Sequence, residues 1–139
     1  MAYNVLIVDD SATMRALVRK ILAMSGFDLG GCFESANGRE ALKILEKHWI
    51  DLILSDVHMP EMDGAAFLQA LRAHKLWRTI PVVLITTESR QEVLTPILRQ
   101  GAQGYIKKPF QPEVIRNQLV SILGEAAATN VRELEGCDF

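Results

Sequence analysis

Residues 4–22 read NVLIVDDSATMRALVRKIL, and the change of rhythm inside this stretch decides the fold. Val5, Leu6, Ile7 and Val8 form an unbroken apolar run rich in β-branched side chains, the pattern of a strand buried on both faces. Asp9 and Asp10 end it. Met14, Leu17, Val18, Ile21 and Leu22 then recur at helical spacing along one face, with Arg15, Arg19 and Lys20 on the other. A fully buried strand followed at once by an amphipathic helix is the unit of a parallel α/β sheet.

The same unit repeats outward. Further strands are expected at residues 29–34, 51–54, 82–86 and 104–106, the first of these weakened by Gly30-Gly31. Ala41, Leu42 and Leu45 mark a helix after the Asn37-Gly38 turn, and Phe67, Leu68 and Leu71 another after Asp63-Gly64. Ser89-Arg90-Gln91-Glu92 has the form of a capping box opening a fourth helix on Val93, Leu94, Ile97 and Leu98. Pro96 falls inside that helix, where it removes an N–H and crowds the preceding turn, so a kink is expected there. Pro112 suits the first turn of a fifth helix carried by Ile115, Leu119, Ile122 and Leu123, with Gly124 to stop it. The order βαβαβαβαβα implies a parallel sheet with helices on both faces and right-handed crossovers. Residues 1–124 form the domain. Residues 125–139 read as a C-terminal tail, a helix extension or a flexible segment, because Val131 and Leu134 are too few to make a core.

Composition narrows the function. With 139 residues, 49% hydrophobic and 23% charged, the chain is one globular domain and not a disordered one. Fifteen basic against seventeen acidic residues, with no polybasic run, speak against a nucleic acid or an anionic membrane as partner. The apolar runs fall far short of the roughly twenty residues of a membrane span. No signal peptide is legible, and a cytoplasmic location is expected. Cys32 and Cys137 form no CxxC pair and are expected to be free thiols.

Ligands of open α/β sheets bind beyond the carboxyl ends of the strands. Here the first strand ends in Asp9-Asp10 and the third runs into Ser55-Asp56. The fourth ends in Thr86-Thr87, and the fifth runs into Lys107-Lys108. Any one Asp at a strand end is more simply a turn or cap residue; the convergence of four strands is what counts. Clustered carboxylates repel one another unless a cation is present, and oxygen-only ligands suit Mg²⁺ better than zinc. An Asp beside a cation, an ammonium and a hydroxyl can act as a nucleophile toward a phosphoryl group and then hold it. No GxxxxGK[ST] loop occurs, so nucleotide binding has no support.

Four segments carry a resemblance when taken together and in order: LIVDDS (6–11), LILSDVHMPEMDG (52–64), PVVLITTES (81–89) and GAQGYIKKPF (101–110). Over about residues 4–123 the chain resembles a stand-alone response-regulator receiver domain of the CheY-like kind. The resemblance implies a flavodoxin-like, doubly wound, five-stranded parallel sheet of order 2-1-3-4-5 with five helices. It implies Asp56 as phosphoacceptor. Asp10 and Asp56 would be Mg²⁺ ligands, with Asp9 assisting through water and the backbone carbonyl of His58 as a further ligand. Thr86 and Lys108 would engage the phosphoryl group. Tyr105 would be the switch aromatic, turning inward as Thr86 is drawn to the phosphoryl group. By the same resemblance the chain is a signalling switch of a two-component system and not an enzyme on a separate substrate. A histidine kinase or phosphotransfer protein would supply the phosphoryl group. An output protein would bind at the face of the fourth helix, fifth strand and fifth helix. Chemotaxis, a phosphorelay or a developmental circuit could use such a switch.

The alternative is a Mg²⁺-dependent phosphohydrolase with Asp56 as nucleophile, but no Asp-x-Asp pair surrounds Asp56 and the chain is short for a substrate cap. A flavodoxin-like cofactor binder would need a phosphate loop. His58 and Glu88, each two residues beyond a site residue, are expected to flank the path of water toward the phosphoryl group. His48 and His74 read as solvated helix positions, Trp49 and Trp77 as covers at core edges, and Cys32 as inert.

Overall fold

In the computed structural model, which describes residues 2–124, five parallel strands form one sheet. They are β1 (Tyr3–Val8), β2 (Leu29–Ser35), β3 (Leu52–Ser55), β4 (Val82–Thr86) and β5 (Gly104–Lys107), in the order β2-β1-β3-β4-β5. The helices α1 (Ala12–Met24), α2 (Gly38–Lys47), α3 (Gly64–Ala73), α4 (Gln91–Arg99) and α5 (Pro112–Leu123) follow the strands one by one. This is the flavodoxin-like order and helix count that the sequence motifs imply. The tail at 125–139 and Cys137 lie outside the described residues.

Alternation along the strands sends side chains to two cores. Leu6, Val8, Ile53 and Leu84 pack toward α2, α3 and α4, while Val5, Ile7, Leu54 and Ile85 pack toward α1 and α5. Burial on both faces is why the strands show no polar alternation. The winding direction reverses between β1 and β3, and the connections there part to opposite faces. In that pair Val8 lies opposite Ser55, so Asp9 and Asp56 leave the sheet side by side.

Side chains cap the first three helices as the turn residues suggest. Ser11 Oγ accepts from Met14 N at 3.1 Å, Asn37 Oδ1 from Glu40 N at 2.9 Å, and Asp63 Oδ1 from Ala66 N at 2.9 Å. The expected capping box of α4 does not form. Arg90 is the N-cap and has no side-chain cap bond. The N–H groups of Ser89 and Arg90 go instead to the carboxylate of Glu88, at 3.0 and 2.9 Å, which displaces Ser89 from the capping role. Pro96 lies within α4, which runs unbroken through it, with Leu94 and Ile97 buried on either side. Docking of that apolar face holds the helix together where the proline removes a hydrogen bond.

Trp49 differs from expectation: it is 79% exposed and covers no core edge. Ile50 takes the buried place beside it, and the indole N–H of Trp49 donates to Asp51 Oδ1 at 2.9 Å. Trp77 does pack against the core and stacks on His74 with ring centroids 3.6 Å apart. Among the described residues, no helix is long and apolar enough to cross a membrane.

Candidate functional site

The site begins with backbone geometry. Asp9 N donates to Ser35 O at 3.0 Å and Asp56 N to Val8 O at 2.8 Å, which extends the sheet ladder to the two acidic residues. Asp9 is buried, Asp56 half-buried and Asp10 exposed. One carboxylate oxygen from each lies within 4.8 Å of the others. Ser11 N donates to Asp9 Oδ1 at 2.9 Å and Val57 N to Asp56 Oδ1 at 2.6 Å, which fixes both carboxylates.

Lys108 enters from the end of β5. Its Nζ donates to Asp9 Oδ2 at 2.9 Å and to Asp56 Oδ2 at 3.2 Å. Burial is the largest single influence on this ammonium and works against its charge. The hydrogen bond to Asp9 and the charges of Asp56 and Asp9 together outweigh burial, so its pKa is raised. One ammonium faces three carboxylates. The surplus negative charge and the all-oxygen donor set fit a hard divalent cation such as Mg²⁺.

Thr86 closes β4 and is fully buried, and its Oγ1 accepts from Glu88 N at 3.1 Å. Tyr105 lies opposite Leu84 in the β4–β5 register. Leu84 and Thr86 point to the same face of the sheet, so Tyr105 shares that face with Thr86. Its half-buried ring packs against the core beneath α2, α3 and α4. Asp9, Asp10, Asp56 and Lys108 are thus gathered directly, while Thr86 and Tyr105 stand on the adjoining strands.

Three features escape a reading of the sequence. Gly64 sits against the phosphoacceptor candidate: its N donates to Val57 O at 2.8 Å, and a Cβ there would lie 2.5 Å from Asp56 O. The Asp63-Gly64 pair signals a turn but not this close approach. Arg15 donates from Nη1 to the Asp9 carbonyl at 2.6 Å and from Nε to Glu34 at 3.1 Å, tying α1 to the end of β1. Arg90 grips Glu88 through Nε at 2.9 Å and Nη2 at 2.8 Å.

Glu88 and His58, expected to flank the site, meet each other. His58 Nε2 lies 2.8 Å from Glu88 Oε1. Arg90's side chain, then its backbone N–H, then His58 hold the Glu88 carboxyl well below the usual carboxylate range. The ionised carboxylate can only accept, so His58 Nε2 is the donor in this contact.

The geometry has many counterparts. Residues 5–120 match the family described as response regulator receiver domain. A chemotaxis protein CheY homolog of Campylobacter jejuni is 33% identical over 131 residues, spanning 94% of this chain and 99% of that protein. The chemotaxis response regulator CheY4 of Vibrio cholerae superposes with a TM-score of 0.78 at 34% identity, covering 88% of this chain and 99% of that one. The CheX–CheY complex of Borrelia burgdorferi, solved with BeF₃ and Mg²⁺, contains a chain that superposes with a TM-score of 0.78 at 26% identity. There the overlap covers 87% of this chain and 89% of that one.

Proposed function

Because the chain belongs to the response regulator receiver domain family, we propose that it is a phosphorylation-dependent switch whose phosphoacceptor is Asp56. The observation that carries this reading is the Asp56 carboxylate itself. It is half-buried beside Asp9 and Asp10, with one oxygen on Val57 N and the other on the Lys108 ammonium.

A carboxylate oxygen of Asp56 forms a bond to phosphorus as the bond from phosphorus to a donor histidine nitrogen breaks. Lys108 is placed to pair with the phosphoryl oxygens, and Thr86 keeps its hydroxyl proton to donate to one of them. Asp9, Asp10 and Asp56, with the backbone carbonyl of His58, would hold Mg²⁺, which when bound supplies positive charge against the phosphoryl oxygens. As Thr86 turns toward the phosphoryl group, the ring of Tyr105 on the same face follows it inward. That movement reaches the surface of α4, β5 and α5, where an output protein binds. The Borrelia relative, solved in complex with CheX, supports binding to another protein, and a histidine kinase or phosphotransfer protein as donor follows from the family.

The test is incubation of the whole chain with Mg²⁺ and acetyl phosphate. Stoichiometric acid-labile phosphate is expected, and Asp56→Asn abolishes it while the near-ultraviolet circular dichroism is kept. Label retained in that variant refutes Asp56. Rapid release of many equivalents of phosphate with no label retained on the protein would instead make the chain a hydrolase.

A further inference from the structure

Five hydrogen bonds converge on the Glu88 carboxylate. Oε1 takes His58 Nε2 and Arg90 Nη2; Oε2 takes Ser89 N, Arg90 N and Arg90 Nε. An ionised carboxylate has about four acceptor sites, so this one is saturated. Its position makes the saturation consequential. Glu88 follows the strand end that carries Thr86, and His58 follows Asp56, so the carboxylate bridges the two loops beside the phosphoacceptor. The Glu88 side chain is 6% exposed and that of Arg90 61%: the acid is inside and the clamp is on the surface.

A carboxylate beside an aspartyl phosphate can orient a water and accept its proton as hydrolysis begins. In that step the water oxygen bonds to phosphorus and the bond from phosphorus to the Asp56 oxygen breaks. Asp56 is returned as carboxylate, and the proton passes to the departing inorganic phosphate. A carboxylate whose lone pairs are all engaged cannot do this. We propose that Arg90 is a positioning residue that prolongs the aspartyl phosphate by occupying Glu88. The inference rests on Asp56 being the phosphoacceptor. The Arg90 side chain supplies two of the five bonds, beside a third from its backbone N–H, and it reaches Glu88 from solvent, so those two can be removed without opening the core.

The experiment follows decay of acid-labile phosphate after removal of acetyl phosphate, in wild type, Arg90→Met, Arg90→Lys, Glu88→Gln and the double variant Glu88→Gln/Arg90→Met. Arg90→Met is expected to shorten the lifetime at least about threefold, within the roughly 10²-fold that a placed general base supplies. Arg90→Lys, with a single-point ammonium, falls between. In the Glu88→Gln background the loss of Arg90 changes nothing, because no carboxylate is released. A lifetime unchanged by Arg90→Met overturns the inference. Equal shortening with and without the Glu88 carboxylate also overturns it, because the effect would then come from loosening the start of α4. Wild-type protein that takes no label overturns the phosphoacceptor reading, and this inference with it.

Discussion

Lys108 and Asp9, 99 residues apart in the chain, meet at 2.9 Å with side chains 9% and 6% exposed. The same ammonium lies 3.2 Å from Asp56. Lys108→Met therefore leaves two neighbouring carboxylates without their cation. The loss expected is on the order of 2 kcal/mol, below that of a fully buried pair because Asp56 opens to water. A urea titration of metal-free protein checks it: the midpoint should fall, and an unchanged midpoint would mean that the carboxylates are compensated elsewhere.

Asp10 is the exposed member of the acidic cluster. Asp10→Ala is expected to weaken Mg²⁺ affinity, read by titration calorimetry, and to lower phosphorylation with it. Without metal the same change relieves repulsion and should raise the unfolding free energy by about a few tenths of a kcal/mol. Full Mg²⁺ affinity in the variant would show the cluster to be misread.

Gly64 has no room for a methyl group, since its Cβ would meet Asp56 O at 2.5 Å and Val57 Cα at 2.9 Å. Both obstacles are backbone and cannot rotate away. Gly64→Ala should cost about 1–3 kcal/mol by overpacking. It should also slow phosphorylation, because the segment that must yield is the one holding Asp56. Stability loss with normal phosphorylation would separate the two effects and refute the second.

Glu88 makes stability depend on acid pH. Its folded-state pKa is depressed, first by the Arg90 side chain, so its contribution is present above the unfolded value of 4.5 and fades as pH falls below it. Wild type should be more stable than Glu88→Gln at neutral pH, and the gap should close on acidification below about 4.5. A gap independent of pH between 7 and 3 would show that packing, and not charge, makes the difference.

The alternation of strands and helices, both cores, the acids Asp9, Asp10 and Asp56 and the lysine pair Lys107-Lys108 were legible in the chain because periodicity and strand ends are local signals, while the family resemblance singled out Lys108 and implied the sheet order. Val5–Val8 reads as a buried strand wherever it is met, and an acid pair at its end must lie at the carboxyl edge of the sheet. The sequence alone also placed His58 and Glu88 beside the site. It could not show that they touch, that Arg90 closes on Glu88, or that Ser89 loses its cap to that carboxylate. Those facts depend on which of several nearby acceptors an N–H reaches first, and only the packed loops decide that. Trp49 and Gly64 carry the same lesson. A turn dipeptide or an aromatic after a helix says where the chain bends, whereas the space left for a Cβ or an indole is set by how the chain packs back on itself.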